Sequence, residues 1–190
     1  LHNPTDSELI RLLPEPIENH ASIEWIHDHV VSIEPDQGMI ATKNDRRTVD
    51  HIVLATGTRA KTLAIDGLFS DQVHVIRTLS DAIHLHEVLD KAHNIAIIGA
   101  GFLAFELASS LDYPERTIRV LAKGIRALPQ ISVTAANRLL EETPASIRVG
   151  VTIERYDQDS ASLITNHGPV PADLVITVSY THLRAHETSN

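Results

Sequence analysis

The fold of this chain is decided by one stretch of sequence, Ile97-Ile98-Gly99-Ala100-Gly101-Phe102-Leu103-Ala104-Phe105-Glu106. The stretch fits the pattern G-x-G-x-x-A, in which the first glycine makes a tight turn and the second lets the backbone approach a pyrophosphate. The third small residue, Ala104, lets a helix pack closely against a strand. We therefore predict a strand that runs into a helix, with the N-terminal N–H groups of that helix facing the phosphates of a dinucleotide.

The sequence on both sides supplies the context that such a pattern requires. An apolar run over 94–99 predicts a buried strand, and 101–111 predicts a helix with Leu103, Leu107 and Leu111 on one face. A further strand is expected over 117–121. Because strand and helix alternate, we expect a three-layer Rossmann-like α/β domain with a parallel sheet. A glycine-rich turn without a ligand is the alternative.

The remaining elements follow from turn signals and apolar patterns. We expect a short helix over 8–19, an extended segment over 23–33, and a buried strand over 51–55 that enters a loop at Thr56-Gly57. A helix capped by Ser80 or Asp81 is expected to reach Lys91. The other expected elements are strands over 39–42, 148–155, 162–165 and 173–176 and a helix over 132–142.

Composition excludes several classes of function. The net charge of −9 disfavours a nucleic-acid partner, because phosphate binding needs clustered Lys and Arg. The chain has no cysteine, which excludes disulfides, thiolate zinc sites and cysteine nucleophiles. The pairs His27/His29 and His84/His86 lack a third ligand, so we expect no metal site. No membrane-spanning run and no signal peptide are visible, so a cytoplasmic location is expected.

The C-terminal end has a different origin in this interpretation. Residues 178–188 resemble one translated reading frame of a transposon-end sequencing adapter. We expect the tail 178–190 to lie outside the fold, with the native gene interrupted at about Ile176. Tyr180, His182 and His186 are then expected to carry no function.

Two further motifs link the chain to a family. Asp50-His51-Ile52-Val53-Leu54-Ala55-Thr56-Gly57 resembles the D-x-(three hydrophobic)-A-T-G strand of FAD-dependent pyridine nucleotide-disulfide oxidoreductases, and the glycine pattern follows about forty residues later, as in that family. Arg77-Thr78 with Asp81-Ala82 resembles the R-T-x-x-D-A segment of its rubredoxin, ferredoxin and nitrite reductase branch. The resemblance covers about 1–176.

The resemblance implies a fragment of a larger enzyme. Residues 1–76 would be part of an FAD-binding domain, 77–90 a connecting helix, 91–177 an NAD(P)-binding Rossmann domain, and 178–190 the artefactual tail. The implied reaction is hydride transfer from NADPH or NADH to FAD, then onward to an electron-carrier protein or small acceptor. The cofactors carry this chemistry, so we name no catalytic side chain, and the fragment alone should be inactive. A non-catalytic nucleotide-binding module and a flavin-free Rossmann dehydrogenase are the alternatives.

The resemblance also implies site residues. The turn Ala55-Thr56-Gly57 would lie near the flavin diphosphate, and Val30 is a weaker candidate near the adenine. In the family, the acid at the position of Glu106 lies near the nicotinamide and flavin. The equally weighted alternative is that Glu106 is an acidic residue near a helix start, stabilised by the helix dipole. The family's prolines after A-T-G are replaced here by Ala60 and Ala64, which should loosen the loop over 58–67.

The second strand of the Rossmann unit bears on the choice of nucleotide. NAD-specific sites carry an Asp or Glu about twenty residues past the glycines, and counting along the family pattern places that position at Ala122. Lys123 and Arg126 follow on the same loop. Two cations without an acid favour a 2′-phosphate, so we predict a preference for NADPH. The alternative is that both cations face solvent.

Overall fold

The structure is a computed structural model that describes residues 17, 20–60, 63–178 and 180–182. The chain divides after Gly57 into two compact units, and each is described by itself. The helix expected over 8–19 lies outside the described residues except for Ile17. No helix in the described ranges is long and apolar enough to cross a bilayer.

The first unit contains a three-stranded antiparallel sheet. Its strands are β1 (Val30–Glu34), β2 (Met39–Thr42) and β3 (Arg46–Thr48), in that order. A 3₁₀ turn over Pro35–Gln37 joins the first two strands and ends at Gly38, whose left-handed φ of 59° suits glycine. The strand predicted over 39–42 is confirmed, and the extended segment predicted over 23–33 becomes a strand only from Val30.

The buried strand expected over 51–55 is wrong. Residues 51–57 have no regular secondary structure, and Val53 and Leu54 are 88% and 61% exposed. An apolar run becomes a buried strand only when neighbouring strands pair with it and both of its faces are covered. No other described strand pairs with this run.

The second unit carries most of the chain. Its elements are β4 (Thr58–Ala60), β5 (Val73–Val75), α1 (Leu79–Leu89), β6 (Asn94–Ile98), α2 (Phe102–Ser110), β7 (Thr117–Leu121), α3 (Val133–Glu142), β8 (Ser146–Arg148), β9 (Ile153–Asp157), β10 (Ser162–Thr165), β11 (Gly168–Pro171), β12 (Leu174–Thr177) and β13 (Tyr180–His182). Five of the strands form a parallel sheet in the order β5-β12-β6-β7-β8, so the predicted α/β fold with a parallel sheet is confirmed.

The parallel sheet is buried on both faces, which explains its continuous apolar strands. Ile95 and Ile97 of β6 belong to an apolar cluster that includes residues of α1, α2 and α3. Ala96 between them belongs to a second cluster, with Leu163 of β10 and Val170 of β11. The layers are therefore helices, the parallel sheet, and a three-stranded antiparallel sheet β11-β10-β9.

Three sequence predictions need correction in this unit. The single strand predicted over 148–155 is two strands, β8 and β9, separated by a turn in which Gly150 has a φ of 68°. Strand β11 was not predicted at all. Helix α1 is capped by Thr78, two residues before Ser80 and three before Asp81, and Thr78 accepts a hydrogen bond from the Asp81 N–H at 3.2 Å.

The domain boundaries that we predicted from the sequence remain a prediction. The division of the structure into compact units falls at a different residue. The first compact unit ends at Gly57 rather than at 76. Strand β5, which lies before the predicted boundary, pairs with β12 inside the parallel sheet.

The first residues of the predicted tail have partners in the fold. Val178 is 8% exposed and its N–H donates to the Ile98 carbonyl at 3.0 Å. Strand β13 pairs antiparallel with β4. The expectation that the tail lies outside the fold is therefore wrong for 178 and 180–182, because the backbone there finds partners. Residues 183–190 lie outside the described ranges, and the adapter origin stays a prediction.

Candidate functional site

The carboxyl edge of the parallel sheet contains a point where the strand order reverses. From β6 the chain proceeds through α2 to β7 and then to β8 on one side, whereas β12 and β5 lie on the other side. Ligands of open α/β sheets bind outside the carboxyl ends of the strands at such a point. The crevice between the ends of β6 and β12 is therefore the candidate site.

The glycine-rich turn follows β6 directly at this crevice. Gly99 has a φ of 118°, a conformation restricted to glycine, and its N–H donates to the Leu121 carbonyl at 2.8 Å. A Cβ placed on Gly99 would lie 3.1 Å from Cγ2 of Val178. The turn thus needs glycine for both its backbone angle and its close packing against the residue after β12.

Gly101 places the start of helix α2 at the same edge. It is the N-cap residue in an extended conformation, and its carbonyl accepts the Ala104 N–H at 3.0 Å. The first N–H groups of a helix have no acceptor within the helix and attract anions. Phe102 and Leu103, the first helical residues, supply these donors, and the fully buried Ala104 allows the close packing predicted for it.

The loop after β7 carries the predicted cations. Position 122 is alanine and therefore carries no carboxylate. Ala122 is buried, and its N–H donates to the Arg148 carbonyl at 2.9 Å. Lys123 is exposed. Arg126 is half-buried, and its Nη2 donates to the carbonyls of Pro129 and Ile131 at 2.7 and 3.1 Å. Arg126 therefore stabilises its own loop, a role that the sequence analysis did not foresee.

The same loop closes against the glycine turn through a residue that sequence reasoning missed. Leu128 is fully buried in the left-handed conformation, with a φ of 47°, and its N–H donates to the Ala100 carbonyl at 2.8 Å. Leucine disfavours this conformation, so nothing in the sequence signals it. Gln130 follows, and its Nε2 lies 3.9 Å from the Cβ position of Gly101. Neither Leu128 nor Gln130 was among the predicted site residues.

The remaining predicted site residues fall into two groups. Glu106 is exposed on α2, and no described side chain forms a hydrogen bond or ion pair with its carboxylate, which leaves both interpretations of Glu106 open. Ala55, Thr56 and Gly57 are exposed at the end of the first unit, and Val30 is 48% exposed in β1. The described residues around these four form no enclosed flavin pocket, so we derive no step of a reaction through the flavin.

Two histidine side chains of the second unit lie close together. His74 of β5 lies 5.4 Å from His84 of α1 between ring centroids. Burial, followed by the proximity of His84, lowers the pKa of His74. The described part of the chain holds no cluster of three or more His, Cys, Asp or Glu side chains placed to bind a metal ion.

Comparison with known proteins identifies the family of this chain. The sequence profile described as pyridine nucleotide-disulphide oxidoreductase matches residues 2–179. Rhodocoxin reductase of Rhodococcus erythropolis is 25% identical over 194 residues, which cover 93% of this chain and 44% of the relative. Rubredoxin-NAD(+) reductase of Acinetobacter baylyi is 30% identical over 149 residues, which cover 71% and 38%. The chain thus spans less than half the length of these relatives.

A solved structure shares the fold. The ferredoxin reductase of a Rhodopseudomonas palustris cytochrome system superposes with a TM-score of 0.72 at 22% identity. The match covers 92% of this chain and 46% of that protein. At this identity the likeness concerns the architecture alone.

Proposed function

This chain belongs to the pyridine nucleotide-disulphide oxidoreductase family, and from that premise we propose that it is part of an FAD-dependent NAD(P)H oxidoreductase. The proposed reaction is hydride transfer from the nicotinamide nucleotide to FAD, followed by electron transfer to a carrier protein. The observation that carries the proposal is the glycine turn of 99–101, which opens helix α2 at the reversal point of the sheet.

The protein's part in this reaction is to bind and orient the nucleotide. The free N–H groups of Phe102 and Leu103 would hold the pyrophosphate, and Gly101 would let it approach the backbone. When bound, the nicotinamide nucleotide supplies the hydride. Ala100 and Ala104 keep the turn and the helix close to β6. Glu106 would lie on the nicotinamide side, as the family resemblance implies.

Cofactor choice and the flavin contacts belong to the same proposal. Lys123, with Arg126 on the same loop, supports a preference for NADPH, because Ala122 provides no acid that would repel a 2′-phosphate. Ala55, Thr56, Gly57 and Val30 are proposed to contact FAD in the whole protein. Since they form no enclosed pocket in the described residues, this chain alone is expected to be inactive.

The proposed acceptor is a small electron-carrier protein. Relatives are named rubredoxin-NAD(+) reductase and the ferredoxin-NAD(+) reductase component of dioxygenase systems. A cytoplasmic location is proposed as well, because NADPH and NADH are metabolites of that compartment.

Binding of ADP-ribose to this chain tests the nucleotide site. The wild-type chain should bind ADP-ribose in a calorimetric titration, and Gly101→Ser should weaken binding by about tenfold or more, since a side chain there blocks the approach of the pyrophosphate. The nearest heavy atom to a Cβ at Gly101 is 3.9 Å away, and serine is a good N-cap, so the variant should keep its melting temperature. Failure of the wild type to bind would overturn the proposal.

The alternatives require the intact gene product. A flavin-free dehydrogenase or a non-catalytic nucleotide-binding module would purify without visible flavin absorbance. The proposed enzyme would purify yellow, and addition of NADPH without oxygen would bleach the flavin bands. A colourless full-length protein that nevertheless binds ADP-ribose would favour the alternatives.

A further inference from the structure

We propose that Gln130 binds the pyrophosphate of the nucleotide, with its side-chain amide donating a hydrogen bond to a phosphate oxygen held over Gly101. The inference deepens the proposed function and rests on it. It adds a donor from the loop after β7 to those of the helix N-terminus, so that the phosphates would be held from two sides.

The position of the amide carries the inference. Nε2 of Gln130 is the nearest heavy atom to the point where a Cβ on Gly101 would lie, at 3.9 Å. The absence of a side chain at Gly101 is what lets a pyrophosphate approach the backbone. The Gln130 amide therefore borders the space that the phosphates would occupy.

The loop holds Gln130 in this position by contacts on both sides. Before it, the buried Leu128 donates its N–H to the Ala100 carbonyl within the glycine turn. The guanidinium of Arg126 bridges the carbonyls of Pro129 and Ile131, the two residues that flank Gln130. Backbone strain in a non-glycine residue such as Leu128 persists only where the surroundings enforce it, and it clusters at ligand sites.

The side chain is free to serve a ligand. Gln130 is exposed, and no hydrogen bond from another described residue engages its amide. An amide N–H that meets a phosphate forms a charge-assisted hydrogen bond, which is stronger than a neutral one. A neutral donor of this kind would serve NADPH and NADH equally, since both carry the same pyrophosphate.

Two substitutions in the full chain test the role of Gln130. Gln130→Ala removes the donor, and Gln130→Glu keeps the shape but places a negative charge beside the phosphates. ADP-ribose affinity should fall about tenfold in the alanine variant, as expected for loss of a hydrogen bond to a charged group, and further in the glutamate variant. Adenosine, which has no phosphate, should bind both variants as it binds the wild type in an NMR titration.

Controls separate this role from a structural one. Asn137→Asp adds the same charge at an exposed site on α3 and should leave ADP-ribose affinity unchanged. An equal loss of adenosine and ADP-ribose affinity in the Gln130 variants would show a structural role and overturn the inference. ADP-ribose affinities within twofold of the wild type would also overturn it. If the wild type bound neither ligand, the proposed function would fall and this inference with it.

Discussion

Lys123 and Arg126 share a loop but have different surroundings. The exposed Lys123 has no hydrogen-bond partner among the described residues, whereas Arg126 donates to two carbonyls of its own loop. A 2′-phosphate can therefore recruit Lys123 without cost to the fold. Arg126 would bind the phosphate through N–H donors that its loop leaves unused, because a guanidinium has five N–H donors.

These surroundings predict different effects of two alanine variants. Lys123→Ala should weaken binding of NADPH about tenfold and leave NADH unchanged, because only the 2′-phosphate meets the ammonium group. Arg126→Ala should weaken both nucleotides, because the loop that holds Leu128 and Gln130 loses its bridge. Titration of each variant with both nucleotides gives the answer. A wild type that binds NADH as tightly as NADPH would contradict the predicted preference.

Two glycines with positive φ allow a matched test of the turn. Gly99→Ala should destabilise the fold by about 2–4 kcal/mol, because a disallowed backbone angle adds to overpacking against Val178. Gly150→Ala should cost only about 1 kcal/mol, since its φ of 68° is left-handed but no atom lies within 4 Å of the added Cβ. Urea unfolding of both variants measures the difference. Equal losses would mean that packing at Gly99 contributes nothing.

At the scale of single elements, helix α1 shows how a cap sets a boundary. The Asp81 carboxylate accepts the N–H groups of Thr78 and Arg77 at 2.8 and 2.9 Å, while Thr78 accepts the Asp81 N–H in return. Burial alone would raise the pKa of Asp81, but these hydrogen bonds outweigh it and the pKa is lowered. A lowered pKa means that this stabilisation is present above the ordinary carboxyl pKa and is lost as the pH falls through the folded-state value.

Asp81→Ala should therefore reduce stability in a pH-dependent way. At pH 7 the loss should be about 1 kcal/mol, the usual contribution of a capping interaction. The difference from the wild type should shrink below about pH 4, where the wild-type carboxylate becomes protonated. Thermal unfolding from pH 7 to pH 3 measures this, with the exposed Asp112→Ala as the control. A constant difference across the range would show that the carboxylate charge plays no part.

The elements also show which parts of the structure the sequence could predict. Strands β2, β6, β7 and β10 and helices α2 and α3 were expected within one or two residues, because each is delimited by local signals such as Gly38, Gly99 or Pro114. The run over 51–55 failed because burial depends on neighbouring strands rather than on its own residues. The glycine turn could be predicted because its signals are local in the sequence. Leu128 and Gln130 reach the turn through tertiary contacts, which the spacing of residues in the sequence does not predict.

At the scale of the whole molecule, flavin retention separates this chain from the enzyme to which we assign it. Expressed alone, the chain should purify colourless, because Ala55, Thr56 and Gly57 are exposed and the described residues close no pocket around them. It should still bind ADP-ribose at the glycine turn. Absorbance in the visible flavin bands after gel filtration checks the first expectation. Stoichiometric flavin would contradict it.

The order of strands in the parallel sheet has a consequence for synthesis on the ribosome. Strand β12 lies between β5 and β6, although both of these leave the ribosome long before it. At about 5–20 residues per second, β5 and β6 wait roughly 4–15 s with facing edges unpaired. During that interval the nascent chain offers two apolar strand edges to chaperones and to other chains. Ribosome-bound chains arrested before Leu174 should be digested readily by protease, and resistance should appear in one step once β12 has emerged.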